Sequence, residues 1–370
     1  MLKDVVTSQM REVERKLAEP YVTRDVRWPD GNDDMIRVVI GPRRAGKSFQ
    51  ALHMMAAAGK FGYVNFDDDR LKGFGDFDQL TAAVNEVCGS PERLLLDEIQ
   101  NVPDWELLVN RLQRQGFRLT ITGSNAHLLS TELATHLTGR HLPIILFPFS
   151  FQEFARSRSA GATDAEMAEG FRTYVESGGY PEPLMKGLPV REYLSTLFRS
   201  ILYKDVIVRH GIRMHAAIED VATNLVNSCS QRFTFNSLAK AVGDISPRTA
   251  QRYVDYLEEA FLLFAVKRFS FKYSLQTKAP RKVYFVDNGL VTTNSQMFSS
   301  NLGALYENVV ACDLRAREMA GDIHLYYWQG AGQEEVDFVV RKGRDVSALI
   351  QVCVDPDRKS TRLNSSHVSQ

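Results

Sequence analysis

Residues Gly41-Pro42-Arg43-Arg44-Ala45-Gly46-Lys47-Ser48 leave little choice about what surrounds them. They fit the pattern GxxxxGK[ST], which works only between a buried strand and the start of a helix. The flanks comply. An apolar run at 36–40 reads as a strand, and the stretch 48–58 reads as a helix. In such a loop the glycines let backbone N–H groups curl around a β-phosphate without a Cβ in the way, and the helix N-terminus adds a favourable dipole. Lys47 has the reach for the β- and γ-phosphates, and the Ser48 hydroxyl suits Mg²⁺. Phe49 completes the set of loop-adjacent contacts. Arg43 and Arg44 read as solvated loop side chains, with contact to nucleotide or a partner as the alternative.

A second motif lies downstream. Leu94-Leu95-Leu96-Asp97-Glu98 is an apolar strand ending in two acids. Ligands sit at the carboxyl ends of parallel strands. Successive strand residues point to opposite sides, so the two acids take different roles. Asp97 is read as the Mg²⁺-side carboxylate and Glu98 as the base that polarises the attacking water. The strand at 118–122 runs into Gly123-Ser124-Asn125. Either Ser124 or Asn125 contacts the γ-phosphate or the water, or the pair is a turn that caps the next helix. Arg140, just before the fifth strand, is read as a candidate arginine finger or as a surface side chain.

Strands expected at 36–40, 62–66, 93–96, 118–122 and 142–147 alternate with helices such as 105–113, which implies a parallel sheet covered on both faces. A helical segment at 8–18 precedes them. The organisation expected is an N-terminal helical segment at 1–34 and a nucleotide-binding core at 35–148. A helical lid follows at 149–212, broken at Gly178-Gly179-Tyr180-Pro181. A helix-turn-helix unit at 213–280 and a mixed unit at 281–356 complete the chain.

Composition bears on the function classes. Apolar residues are 44% of the 370 and charged residues 24%, which excludes a disordered chain, a collagen and a coiled-coil rod. The apolar run at 260–266 is far short of the roughly 20 residues a membrane span needs, and the first ten residues show no secretory h-region. Cys88, Cys229, Cys312 and Cys353 form no metal-ligand spacing, so free thiols in a cytoplasmic setting are expected. Lys plus Arg equals Asp plus Glu, which argues against a protein that coats DNA through overall charge.

The motifs come in a telling order: GPRRAGKS, an intervening strand, LLLDEIQNVPDWE, TGSN, then GR before PFSFQEF. This order resembles the AAA-type ATPases. More narrowly, it resembles prokaryotic AAA-family proteins with a C-terminal region known as DUF4143. SGGYPEP, LYKDVIVRHGI and DYLEEAFLL follow in that family's order, and the resemblance covers about residues 5–356. It implies an α/β core with strand order 5-1-4-3-2, a helical lid, ATP as ligand and Mg²⁺ as its ion. Asp205 and Arg209, at i,i+4 in LYKDVIVRHGI, are expected to form a structural ion pair.

Residues 235–243 read as a short helix ending at glycine, followed by a turn through Ser246 and Pro247, which suit an N-cap and the first helical position. The next helix, 248–260, places Arg248, Thr249, Gln251 and Arg252 in its first turn, where a winged-helix recognition helix faces a DNA groove. The pieces FLLFAV and KRFSF are expected to pair as the wing. Residues 231–282 hold ten Lys/Arg against four Asp/Glu, a local charge of +6 suited to phosphate. Either double-stranded DNA or a protein is the expected partner of 213–356, no membrane contact is expected, and oligomerisation is left open.

Beyond residue 300 the chain resembles the PD-(D/E)XK nucleases, a restriction-endonuclease-like fold. The resemblance implies metal-binding acids at Glu307 and Asp337 and an acid-x-lysine pair on the following strand. Gln351 and Cys353 stand at that pair, so a degenerate site without cleavage is expected. Finally, Asp357-Arg358-Lys359 and the residues to His367 read as a translated sequencing adapter, so 357–370 is set aside and the natural chain is expected to continue beyond 356. Arg358, Lys359 and Arg362 against Asp357 give that tail +2, leaving −2 without it.

Overall fold

The computed structural model describes residues 2–29, 33–124, 139–158, 163–296, 302–330, 332 and 334–353. The expectations for Asn125 and for the tail 357–370 lie outside them.

The first layer is built on a five-stranded parallel sheet. Its strands are β1 (Ile36–Ile40), β2 (Phe61–Asn65), β3 (Arg93–Asp97), β4 (Arg118–Gly123) and β5 (His141–Ile145), in the order β2-β3-β4-β1-β5. That is the expected order 5-1-4-3-2 read from the other edge. β1 lies centrally, paired with β4 and β5, and all five of its residues are buried. Near-continuous apolar strands such as these suit a sheet covered on both faces. The helices are α1 (Leu2–Leu17), α2 (Lys47–Ala57), α3 (Phe77–Cys88) and α4 (Trp105–Arg114). α1 starts earlier than the polar N-terminus suggests, because Val5, Val6 and Val13 are buried against the sheet layer.

A helical stretch follows: α5 (Phe151–Arg158), α6 (Asp164–Ser177), α7 (Pro181–Lys186), α8 (Val190–Ile201) and a π-helical segment, Leu202–Val208, that continues α8. The break at SGGYPEP is real and has a cause. Gly178 has a φ of 72°, and a Cβ there would lie 2.0 Å from Asp287 Oδ1. The Gly179 carbonyl accepts from Phe149 N at 2.7 Å while its own N–H donates to Asp287 Oδ2 at 2.6 Å. This turn therefore joins three parts of the chain.

The second sheet has six strands: β6 (Arg232–Phe233), β7 (Leu263–Arg268), β8 (Arg281–Phe285), β9 (His324–Gln329), β10 (Glu335–Lys342) and β11 (Asp345–Ile350), in the order β11-β10-β9-β7-β8-β6. Its helices are α9 (His215–Asn227), α10 (Phe235–Val242), α11 (Pro247–Glu259), α12 (Tyr273–Lys278), α13 (Asn288–Asn294) and α14 (Leu302–Met319). Ser246 caps α11 by accepting from Thr249 N at 3.1 Å.

The expected wing pairing does not form. FLLFAV and KRFSF do not pair with each other, because no turn residue separates them and one strand, β7, runs across both. β7 pairs antiparallel with β8, from Leu263 opposite Phe285 to Lys267 opposite Arg281. On its other side it runs parallel to β9. The sheet thus crosses the boundary drawn at 280.

Candidate functional site

The loop after β1 and the acids after β3 meet at the carboxyl edge of the parallel sheet. The loop begins at Gly41, where a Cβ would lie 1.9 Å from the Leu146 carbonyl oxygen, so glycine alone fits against the strand that leaves β5. Gly46 adopts a φ of 94° at the N-terminus of α2, a left-handed conformation that glycine reaches at no steric cost. Lys47 is buried and its Nζ donates to the Pro42 carbonyl at 2.9 Å. Burial pulls its pKa down, opposed by Glu98 and Asp97.

Asp97 is buried and held from three sides. Its Oδ1 accepts from Ser48 Oγ at 2.7 Å and from the Thr122 hydroxyl, and its Oδ2 accepts from Tyr63 OH at 2.8 Å. A hydroxyl and a carboxylate oxygen side by side form the hard donor set Mg²⁺ takes, so the residues fit the ion. Tyr63 and Thr122 were not foreseen. They sit inside ordinary apolar strands, and only the register of β2 and β4 against β3 brings them to Asp97.

Glu98 follows the last residue of β3, so its own backbone and not strand alternation sets its direction. It adopts a φ of 52°, a strained value for a non-glycine residue that recurs at functional sites. Thr122 Oγ1 accepts from its backbone N–H at 3.0 Å. Its Oε2 accepts from the Gln100 amide and from Ser124 Oγ at 3.4 Å. Of the two polar residues that sequence left open, Ser124 is thus placed beside Glu98.

Arg43 is not solvated as expected, whereas Arg44 stays exposed. Arg43 Nε and Nη2 donate to Asp205 Oδ2 and Oδ1 at 2.8 and 3.0 Å. The expected Asp205–Arg209 pair exists at 3.4 Å but is the looser of the two. Arg44 pairs with Glu182 on α7 at 3.3 Å. Sequence could not show this, since 162 residues separate Arg43 from Asp205.

These groups border a cleft of about 380 Å³, lined by Arg43, Lys47, Ser48, Asp97, Glu98 and Phe49 among others. That is a size typical of small-molecule sites. An apolar recess opens beside it, between Pro20, Phe49, Pro181 and Met185. The segment leading from α1 forms one wall. It is pinned by Arg24, whose guanidinium donates to the Ala45 and Phe147 carbonyls and pairs with Glu153 at 3.0 Å, all buried. Tyr21 stacks on His53 with ring centroids 4.0 Å apart and donates to Gln50 Oε1. No motif announced these residues.

Arg140 stands elsewhere. It is exposed and precedes β5, whose first residue pairs with Ile36 at the start of β1. That is the sheet edge opposite the loop, so Arg140 does not reach this chain's own cleft.

In the second layer, Arg248, Gln251 and Arg252 are exposed on α11, while Thr249 is half-buried and bonded to Ser246 at 3.0 Å. The helix buries Ala250, Tyr253, Val254 and Leu257. Glu307 on α14 and Asp337 on β10 do come together, and Gln351 Nε2 donates to Asp337 Oδ2 at 2.7 Å. Cys353 is exposed. A lysine occupies this cluster after all, and from an unexpected strand. Lys282 on β8 places Nζ 2.9 Å from Glu307, 3.1 Å from Asp337 and 2.5 Å from Glu335. Burial opposes its charge, but the three carboxylates outweigh it and hold its pKa above the ordinary lysine value. Among the described residues no group of three or more His, Cys, Asp or Glu side chains is disposed to hold a metal.

A parallel sheet ordered 2-3-4-1-5, with a phosphate-binding loop after β1 and an Asp-Glu pair after β3, defines a P-loop ATPase of the AAA type. Residues 33–155 match the family described as AAA domain, 168–301 a domain of unknown function (DUF8612), and 302–356 a domain of unknown function (DUF4143). An uncharacterised protein of Methanocaldococcus jannaschii is 30% identical over 341 residues, covering 86% of this chain and 75% of the relative. An uncharacterised protein of Haemophilus influenzae is 30% identical over 370 residues, covering 95% and 90%. A Walker-type ATPase of Pyrococcus abyssi aligns in structure at 14% identity and a TM-score of 0.47, over 77% of this chain and 94% of that one. The chain belongs to the family of AAA-like P-loop ATPases that carry a C-terminal DUF4143 region. Among the described residues, no helix is long and apolar enough to cross a membrane.

Proposed function

We propose that this protein binds ATP with Mg²⁺ in the cleft between β1 and β3, hydrolyses it, and couples turnover to its C-terminal unit. The observation that carries this reading is the convergence of Lys47, Ser48, Asp97 and Glu98 on one cleft. The 41–48 loop and Lys47 hold the phosphates. Ser48 and Asp97 would hold Mg²⁺, which neutralises charge on the phosphate oxygens. Glu98, steered by Gln100 and Ser124, accepts the proton of the attacking water. The recess at Pro20, Phe49, Pro181 and Met185 takes the base. Arg140, exposed at the opposite edge of the sheet, takes no part in its own cleft.

We read the helices of residues 213–280 as a winged helix whose wing, the β7–β8 pair, runs past 280 into the nuclease-like unit at 281–356. The exposed Arg248 and Arg252 and the local positive charge favour double-stranded DNA as its partner. Cleavage is not part of this reading, because the Lys282 ammonium stands among the three acids where a metal ion would have to sit.

The test is turnover measured with and without duplex DNA. Lys47→Ala is expected to lose nucleotide binding. Glu98→Gln is expected to bind ATP and fall in kcat by at least about a hundredfold, the usual worth of a general base. Wild-type turnover in Glu98→Gln would move the base elsewhere.

A further inference from the structure

Arg43 is the third residue of the phosphate loop, and its guanidinium is gripped bidentately by a buried carboxylate from a helix far along the chain. Asp205 is 3% exposed and Arg43 31%. The geometry, two parallel N–H···O bonds at 2.8 and 3.0 Å, is the strong fork arrangement. Asp205 lies in the π-helical segment, a rare conformation that tends to mark functional sites.

The position of Arg43 relative to the phosphates follows from Lys47. That ammonium reaches the β- and γ-phosphates in such loops, and here it rests on the carbonyl of Pro42, the residue before Arg43. The Arg43 end of the loop therefore borders the γ-phosphate, on the side where Glu98 stands; both residues line the cleft. A guanidinium has five N–H donors, and the fork on Asp205 uses two of them.

We propose that Arg43 reads the γ-phosphate and that Asp205 is its positioning residue. With ATP bound, the guanidinium donates to the γ-phosphate and shares itself with Asp205. With ADP it returns wholly to Asp205. Arg209, 3.4 Å from the same carboxylate, keeps that buried charge compensated as Arg43 shifts. The π-helical segment runs into His210, whose ring stacks on Tyr256 of α11 at 3.7 Å between centroids. A change at Asp205 thus arrives at the helix that carries Arg248 and Arg252.

The proposal rests on the ATP-site reading, and the experiment separates the two. Calorimetry gives the affinities of the full chain for ADP and for the β,γ-imido analogue of ATP. Arg43→Ala is expected to lower the preference for the triphosphate by about tenfold, near the worth of one hydrogen bond to a charged group, while ADP affinity stays within about twofold. Arg43→Lys, which keeps the charge, is expected to recover part of it. Amide exchange over 202–210 is expected to differ between the two nucleotides in the wild type, and to become independent of nucleotide in both Arg43→Ala and Asp205→Asn. A merely structural role would weaken both nucleotides alike and leave the exchange difference in place. An unchanged triphosphate preference in Arg43→Ala overturns the proposal alone. A wild-type chain that binds neither nucleotide overturns the ATP site and the proposal together.

Discussion

Asp287 shows how much one side chain does at the residue scale. It is buried, and its two oxygens accept from Gly179 N at 2.6 Å and Gly289 N at 2.8 Å. Burial pushes its carboxyl up from the ordinary 3.8 to about 6 despite those bonds. A carboxyl raised in the folded state stabilises the fold most below its unfolded pKa and loses that contribution as pH rises through the folded one. The two values bound the window at about pH 4 to 6, and their separation corresponds to roughly 3 kcal/mol. Other carboxylates have the opposite sign, Asp68 among them, since Arg70 holds its pKa well below the usual range. The informative quantity is therefore the difference between wild type and Asp287→Asn. Melting temperatures followed from pH 7 to 4.5 are expected to show the wild type gaining on the variant as pH falls. Parallel curves would mean that Asp287 keeps an ordinary pKa.

Among the elements, α11 separates its two faces cleanly. Its buried stripe of Ala250, Tyr253, Val254 and Leu257 follows the helical period, so Arg248 and Arg252 are left outward on one turn. Both are exposed, and substitution there leaves the packed face alone. The double variant Arg248→Ala with Arg252→Ala is expected to weaken duplex binding and to reduce the slope of log affinity against log salt by about two, one for each phosphate no longer neutralised. Filter binding or anisotropy at several salt concentrations reads both. A wild type without salt-dependent duplex binding would make α11 a protein-docking helix. The β7 strand carries a second lesson at this scale. FLLFAV and KRFSF read as two pieces that pair, but a hairpin needs a turn residue between its arms, and Val266-Lys267 offers none.

Across the whole molecule, Lys282 is the link between units that lie apart in sequence. It joins β8 to α14 and β10 through three carboxylates. Removing one partner of a buried ion cluster leaves charge uncompensated and typically costs about 3–5 kcal/mol. Lys282→Met is expected to destabilise the chain by that order, measured by denaturant unfolding. It is also expected to recover part of the loss on mild acidification, as burial already raises the Glu307 pKa. A loss under about 1 kcal/mol would show that the cluster is neutral without its lysine.

The sheet order came from the resemblance to the AAA-type ATPases, not from local pattern. The loop 41–48 and the acids Asp97 and Glu98 were legible in sequence because each depends on local pattern: glycine where a Cβ would clash, charge at a strand end, apolar residues at fixed spacing. The cap at Ser246 was legible for the same reason. Arg43 with Asp205, Tyr63 and Thr122 on Asp97, Arg24 on the loop carbonyls and Lys282 among its acids were not. A guanidinium or an ammonium in a sequence reads as solvated until something buried and charged is placed beside it. Their partners lie from 21 to 162 residues away, and only the packing of the two sheets, the helices between them and the segment after α1 decides which charges meet.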